Sequence, residues 1–307
     1  MMCHWLTYIS SILCITLLSS CFTGIESTPR INADDVDQED LKLTPEQIFL
    51  AGIKSQSFGE WQRGKRFFVT NDKLMLVMSG ADMTQNNLAG TEIMYMSCDT
   101  VRSITGDYAT ELSFSTCDGK IYNYRIDASP TRLAEKESVS IPFTIEKSII
   151  DTVSEKLVGL KVYILTPSWY DLEDKAIVGR KFVKVTIESV DYGNDVYTIK
   201  VTFVDDRDVK SRVYMSLSDK NSVRDFATLF AFANPHDKYP SISDVTWENI
   251  INSRVALDMT TGECRLALGT PKEVERVPTY GGVQERWIYE NGTYLIFEDG
   301  LLRQFRK

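Results

Sequence analysis

Residues 285–305 read ERWIYENGTYLIFEDGLLRQF, which is three short apolar runs separated by two dipeptides that favour tight turns. The dipeptides are Asn291-Gly292 and Asp299-Gly300, and such pairs readily adopt the positive φ angles of two-residue hairpin turns. The runs between them have the length and the aromatic and β-branched content of strands. The pattern predicts three consecutive antiparallel strands, at Glu285–Tyr289, Thr293–Glu298 and Leu301–Phe305.

Two helix signals precede these strands. Pro240 and Ser243 come just before apolar residues at helical spacing, as at the start of an amphipathic helix. The run Thr260-Thr261-Gly262-Glu263 is a T-x-x-E capping box, and Gly269 with Pro271 ends the helix that it begins. The predicted order of elements in residues 236–307 is therefore ααβββ.

The two helices are expected to cover one face of the sheet, because three strands alone leave too much apolar surface in water. Alternation places Leu295 and Phe297 on one face and Tyr294 and Ile296 on the other. We assign Leu295 and Phe297 to the covered face, since Tyr294 on the opposite face keeps its hydroxyl in water. The second face, with Tyr294, is where a partner is expected to dock. The helices add to the predicted core Trp247, Ile250, Ile251 and Leu268.

A family resemblance covers residues 239–307. The SmpA/OmlA family is similar in the strings Leu257-Asp258-Met259-Thr260, Leu268-Gly269-Thr270-Pro271 and Leu295-Ile296-Phe297-Glu298-Asp299-Gly300. Its members are small outer-membrane lipoproteins and include the E component of the β-barrel assembly machine. The resemblance implies the ααβββ fold and an outer-membrane setting, but not one function, because this layout serves several binding proteins. Asp258 stands where the family usually has glycine, and Gly262 where it has an acidic residue.

At the other end of the chain, an uncharged apolar run from Leu6 to Leu18 leads into Leu18-Ser19-Ser20-Cys21. The run is too short to span a bilayer, which needs about 20 apolar residues, and has the length of a signal-peptide core. The residues before Cys21 resemble the lipobox of bacterial lipoproteins. That resemblance implies a signal peptide at residues 1–20 and a lipid, such as palmitate, on Cys21. An ordinary secretory signal with a chance cysteine is the alternative.

Residues 21–42 are predicted to form a lipidated tether. Few of their side chains could pack in a core, and a polar segment with mostly one sign of charge favours an unfolded chain. Such a segment would hold the folded domains clear of the lipid headgroups, or would act as a sorting signal. Its acidic residues are Glu26, Asp34, Asp35, Asp37, Glu39 and Asp40.

Two strand-rich regions lie between the tether and the C-terminal module. They predict two tandem small SH3-like β-barrels, at residues 43–145 and 146–235, the second with a lead-in helix at about Ile145–Val158. The predicted fold class is therefore mainly β with an α+β C-terminal part. Strands of the first barrel are predicted at Arg66–Thr70, Leu74–Met78, Glu92–Cys98, Glu111–Thr116 and Ile121–Ile126.

The two regions share similar strings at a spacing of about 90–95 residues, which indicates an internal duplication. Gly64-Lys65-Arg66-Phe67-Phe68-Val69 is similar to Gly159-Leu160-Lys161-Val162-Tyr163-Ile164, and Leu112-Ser113-Phe114 is similar to Val201-Thr202-Phe203. Lys120-Ile121-Tyr122 is aligned in the same way with Arg212-Val213-Tyr214. The alternative is that unrelated small β-domains share strand-like strings by chance.

Composition limits the partners of the chain. The net charge of −9, without basic clusters, argues against nucleic acid, which needs Lys and Arg to displace counterions. After removal of the signal peptide, Cys98, Cys117 and Cys264 remain besides Cys21, and no spacing among them suits zinc. In the predicted hairpin Cys98 and Cys117 lie roughly 20 Å apart at 3.3 Å per residue, so free thiols are expected.

No catalytic site, metal site or cofactor is predicted. His236 is the only histidine after the signal peptide, and it is expected to be a loop residue beside a proline. The acidic runs at 171–174 and 205–208 are either calcium loops or solvent-facing turns, and neither has the spaced ligands of an EF-hand. Trp169 and Tyr170 are candidate partner-binding aromatics in a barrel loop, although core packing is the more common fate of tryptophan.

The sequence thus predicts a lipid-anchored protein of the outer membrane, on its periplasmic or its surface side. The predicted role is non-catalytic binding or scaffolding, in outer-membrane protein assembly or envelope maintenance. Expected partners are the membrane, through the lipid, and an envelope protein or cell-wall glycan. The alternative function is a glycan- or peptidoglycan-binding surface lipoprotein, because bacterial SH3-like barrels can bind such ligands.

Overall fold

A computed structural model of the protein describes residues 42–80, 87–102, 106–136, 138–217, 223–279 and 282–306. The chain separates into a short unit, Met1–Leu43, and a large unit, Thr44–Lys307, which contains every described helix and strand. Cys21, the predicted signal peptide and nearly all of the predicted tether lie outside the described residues. The large unit is mainly β, as predicted, and its three sheets are antiparallel.

The first sheet has six strands in the order β2-β5-β4-β3-β1-β6. Four of the five strands predicted in this region are present, within a few residues of their predicted ends. Helix α1 Pro45–Phe49 precedes the strands, and α2 Pro130–Ala134 lies between β5 and β6. The strands are β1 Arg66–Val69, β2 Met78–Gly80, β3 Glu92–Arg102, β4 Tyr108–Thr116, β5 Ile121–Ile126 and β6 Thr144–Glu146.

The predicted strand Leu74–Met78 is wrong. Residues Asp72–Leu76 form a 3₁₀ helix, and only Met78–Gly80 is extended. Asn71 explains the difference, because its side chain accepts a hydrogen bond from the Lys73 backbone N–H and starts the helical turn.

The second sheet has seven strands in the order β13-β7-β10-β11-β12-β8-β9. Helix α3 leads into it, and short helix α4 precedes its last strand. The elements are α3 Lys147–Leu157, β7 Lys161–Ile164, β8 Ser168–Tyr170, β9 Ala176–Val178, β10 Val183–Tyr192, β11 Ile199–Asp205, β12 Lys210–Met215, α4 Phe226–Leu229 and β13 Phe230–Ala231.

The two sheets have the same strand order once β9 is set aside. Strands β6-β1-β3-β4-β5-β2 correspond to β13-β7-β10-β11-β12-β8, and the longest strand of each sheet carries a register shift at the matching place, Tyr95/Ser97 and Ile187/Ser189. Gly64 donates a backbone hydrogen bond of 2.8 Å to Tyr95, and Gly159 donates one of 2.8 Å to Ile187. These shared details favour the duplication over chance similarity.

One of the three aligned strings was in the wrong register. Phe114 pairs with Tyr122 in the first sheet, and Phe203 pairs with Ser211 in the second, so Tyr122 corresponds to Ser211 rather than to Tyr214. The alignment matched aromatic with aromatic, whereas the hairpin turn sets the register.

Helices α1 and α3 both pack on the second core. Ile150, Val153 and Leu157 of α3 are buried there, and so is Leu50 at the end of α1. The Glu46 carboxylate of α1 accepts a 2.9 Å hydrogen bond from the Phe232 backbone N–H. The predicted boundary at residue 43 placed α1 in the first barrel, whereas its apolar contacts belong to the second.

The C-terminal part has two helices and a four-stranded sheet of order β14-β15-β16-β17. The two predicted helices and the capping box of Thr260 and Glu263 are confirmed. The predicted ααβββ order lacks one strand, because the structure has four strands after the helices rather than three. The missed strand, β14, carries charged residues and Pro278, which are unfavourable in a strand interior. The elements are α5 Asp244–Ile251, α6 Thr261–Leu268, β14 Glu273–Thr279, β15 Gly282–Ile288, β16 Tyr294–Glu298 and β17 Leu301–Arg306.

Residues just before β10 join the second sheet to this C-terminal part. Phe182 stacks on Trp247 with ring centroids 5.5 Å apart, and the buried Lys181 ammonium donates hydrogen bonds to the backbone carbonyls of Leu266 and Ala267 at the end of α6. Burial lowers the pKa of Lys181 from 10.5 to about 8.

This pKa predicts a pH-dependent stability. Below pH 8, Lys181 is protonated in the folded and the unfolded chain, and the full cost of burying its charge is present. Between pH 8 and 10.5 the Lys181 side chain binds fewer protons in the folded chain than in the unfolded chain, so its contribution to the free energy of unfolding rises with pH, by up to about 3 kcal/mol. Urea unfolding across this range should show the free energy of unfolding of the wild type rising relative to that of Lys181→Met, since the other titrating groups, such as Cys264, are common to both proteins. The same dependence on pH in both proteins would contradict the assignment.

A buried ion pair links Lys65, just before β1, to Glu146 at the end of β6. The Lys65 ammonium contacts the Glu146 carboxylate, and both side chains are 6% exposed. In the second sheet the corresponding positions are Leu160, which also follows the matching glycine, and Phe232, and both are partly buried in the apolar core. One copy of the fold thus has an ion pair at the positions where the other has two apolar side chains.

We predict that stability is retained only when both residues of the Lys65–Glu146 ion pair are replaced together. Lys65→Leu or Glu146→Phe alone should lower the free energy of unfolding by about 3–5 kcal/mol, because each leaves one buried charge uncompensated. The double variant should recover most of that loss, since the second sheet has two apolar side chains at the corresponding positions. Urea unfolding of all four proteins measures the coupling, and two losses that simply add would contradict it.

Candidate functional site

The helix-covered face of the C-terminal sheet is the one predicted. Leu295 and Phe297 are fully buried, and Trp287 beside them is 2% exposed. Trp247 and Ile250 are also buried as predicted, whereas Ile251 and Leu268 are partly buried at the edge of this core.

The opposite face carries an apolar strip with charged neighbours. We call the partly exposed residues Ile288, Tyr294 and Ile296 the open face; Ile288 pairs with Tyr294 across β15 and β16. The Arg286–Glu275 ion pair, with N and O 3.3 Å apart, lies beside Ile296. Exposed apolar groups bordered by charge are typical of a surface that contacts another molecule. The partner-binding role of Tyr294 stays a prediction.

A groove of about 530 Å³ opens on the helix side of the same sheet, between the first turns of α6 and the β14–β15 hairpin. Arg265 and Arg276 line it together with Glu285, Trp287 and Val274, and we call it the arginine groove. Sequence reasoning missed this groove, because Arg276 lies on the strand that was not predicted.

Hydrogen bonds fix the floor of the arginine groove. The Glu285 carboxylate accepts a 2.9 Å bond from Arg276 Nε and a 3.1 Å bond from Trp287 Nε1. The Arg265 guanidinium lies over the Trp287 ring, 5.1 Å from its centroid, in a cation–π contact.

Trp169 lies in the core rather than on the surface. Its side chain is buried against Phe203, and its indole N–H donates a 2.7 Å hydrogen bond to the Thr166 carbonyl. Gly179 gives the ring its space, since a Cβ there would come within 1.9 Å of the indole. The prediction that Trp169 binds a partner is therefore wrong.

Tyr170 is partly exposed and packs edge-on against Tyr214, with ring centroids 5.0 Å apart. Tyr214 is held in turn by its contact with Asp174, and burial raises its pKa to about 12. The structure therefore leaves part of Tyr170 accessible, and its binding role stays a prediction.

The histidine and the acidic run that were considered for catalysis or metal binding make contacts within the fold. His236 stacks on Trp247 with ring centroids 4.3 Å apart, and its Nε2 lies 3.3 Å from the Ile242 carbonyl. The Asp205 carboxylate, in the acidic run at 205–208, accepts hydrogen bonds from two backbone N–H groups of its own turn and from Arg180. Within the described residues, no group of three or more His, Cys, Asp or Glu side chains could hold a metal ion.

Among the described residues, the thiols of Cys98 and Cys117 are free, as predicted, and so is that of Cys264. Cys98 pairs with Leu112 on β4, whereas Cys117 follows the far end of that strand, opposite the start of β3. Cys264 is buried in the C-terminal core, and burial raises its pKa to about 12, so this thiol stays protonated and unreactive at neutral pH.

The chain was compared with family models, with curated proteins and with solved structures, and none of them matches. Among the described residues, no helix is both long and apolar enough to cross a membrane.

The two faces of β16 predict different effects of substitution. Phe297→Ala should lower the free energy of unfolding by about 3–5 kcal/mol, because it removes a fully buried ring. Tyr294→Ala should change it far less, because its side chain lies on the open face. Urea unfolding of both variants checks the assignment, and the reverse order of effects would show that the faces are inverted.

Proposed function

We propose that the protein is a lipid-anchored component of the cell envelope that binds a partner without catalysing a reaction. The observation that carries the proposal is the sequence Leu18-Ser19-Ser20-Cys21 after an apolar run, followed by an acidic tether. Two or three acyl chains on Cys21 would hold the chain on a membrane surface, at about 0.8 kcal/mol per buried CH₂. The setting that we propose is outer-membrane protein assembly or envelope maintenance.

We also propose a finer description of the fold. The two related sheets are tandem SH3-like barrels, because in each the last short strand returns to pair with the first. The C-terminal part is an SmpA/OmlA-like module with one added edge strand, β14. The capping box at Thr260 and the hairpins at Asn291-Gly292 and Asp299-Gly300 support this likeness.

The open face is the proposed contact for the partner. Its residues Ile288, Tyr294 and Ile296 offer a compact apolar strip, and the Arg286–Glu275 pair gives it a polar border. Apolar contact at the centre with charge at the rim is the usual composition of a protein–protein interface.

A single recovery experiment tests anchoring and binding separately. Wild type, Cys21→Ser and Tyr294→Ala are expressed with a fatty-acid analogue and recovered from envelopes in mild detergent. Label should appear in the wild type and disappear in Cys21→Ser, whereas envelope proteins should be recovered with the wild type and lost with Tyr294→Ala. Tyr108→Ala is the matched control, because Tyr108 is an exposed tyrosine on the first sheet.

The opposite outcomes are equally clear. Continued labelling and membrane association of Cys21→Ser would refute lipid anchoring at this residue. Recovery of wall glycan in place of envelope proteins would favour the glycan-binding function. Equal recovery of partners by wild type and Tyr294→Ala would remove the open face as the contact.

A further inference from the structure

The arginine groove is positive in a chain whose net charge is −9. Two guanidinium groups and one carboxylate line it, and the carboxylate is already occupied by Arg276 and Trp287. The Arg265 guanidinium makes no ion pair or hydrogen bond with any described residue; its contact is the face of the Trp287 ring. Its N–H donors are thus available to an external acceptor.

The two arginines are held in position. The Trp287 ring that supports Arg265 is 2% exposed and packs on Phe297, with ring centroids 4.8 Å apart. Arg276 is oriented by the bond from its Nε to Glu285, and the terminal N–H groups of its guanidinium make no hydrogen bond to that carboxylate. The planar guanidinium group can donate two parallel hydrogen bonds to one carboxylate. Because both arginine side chains are already oriented, less conformational entropy is lost when a ligand binds.

The shape of the groove favours an extended segment. Its volume of about 530 Å³ falls within the range of about 300–1,000 Å³ for ligand sites. One wall is β14, an edge strand, and the other is the first turns of α6. Val274 on that strand is 41% exposed and offers an apolar contact beside the charges. A concave channel of this kind accepts a peptide chain, whereas a flat bilayer surface would not enter it.

We propose that the arginine groove binds an extended acidic segment of a partner protein, with Arg265 and Arg276 contacting its carboxylates. The groove lies on the opposite side of the sheet from the open face. The proposal therefore does not depend on lipid anchoring or on the open face.

A peptide-binding experiment tests the groove. The full-length chain, in neutral detergent micelles, is titrated into a fluorescent peptide of alternating glutamate and valine, and anisotropy gives the Kd. We expect binding that weakens as salt increases and that is absent for the same peptide with glutamine in place of glutamate. Arg265→Gln and Arg276→Gln should each raise Kd about tenfold, which is about 1.4 kcal/mol.

Arg254→Gln is the matched control, because Arg254 is an exposed arginine of the same module that does not line the groove. Equal binding of the glutamine peptide, an unchanged Kd in Arg265→Gln or an equal loss in Arg254→Gln would each overturn the proposal. Displacement of the peptide by phosphatidylglycerol added to the micelles, when it depends on Arg265, would also overturn it in favour of a lipid headgroup. Retention of the peptide under that condition supports the proposal.

Discussion

The pairing of β1 with β6 is the contact on which the rest of the structure depends. It brings Phe67 opposite Glu146 and adds the edge strand β6 to the first sheet, and the chain continues from there directly into α3, which packs on the second core. Glu146 is therefore the last residue of the first sheet and directly precedes α3. Its ion pair with Lys65 lies at this junction, where both charges are removed from water. The geometry of that pair matters because a buried charge without its partner costs several kcal/mol.

Local chemistry in the sequence was sufficient for much of the fold. The capping box at Thr260 and the turn at Asn291-Gly292 each act within a few residues, so their structural result could be predicted. The face assignment of Leu295 and Phe297 followed from alternation combined with the need to cover one side of a small sheet. These predictions are correct because few tertiary contacts compete with the local preferences on which they rest.

The failures involve residues whose placement depends on distant parts of the chain. Trp169 is buried because Gly179 and Phe203 provide a space for its ring, and no local pattern records that space. Strand β14 is stabilised by pairing with β15 despite Pro278 and its alternating charges. The arginine groove could not be predicted for the same reason, since it forms only when Arg276 pairs with Glu285 across those strands.

Helix α1 gives the fold an unusual connectivity. The chain first contacts the second core through Leu50 and the bond from Phe232 to Glu46, leaves to form the first sheet, and returns through α3. The segment that forms the first sheet thus lies, in the sequence, between two segments that pack on the second core. During synthesis the first sheet has all its strands once residue 146 has emerged, but the second core must wait until residue 232 arrives to complete the contact with α1. Helix α1 therefore remains without its contacts to Phe226 and Phe232 while nearly all of the first two sheets is made.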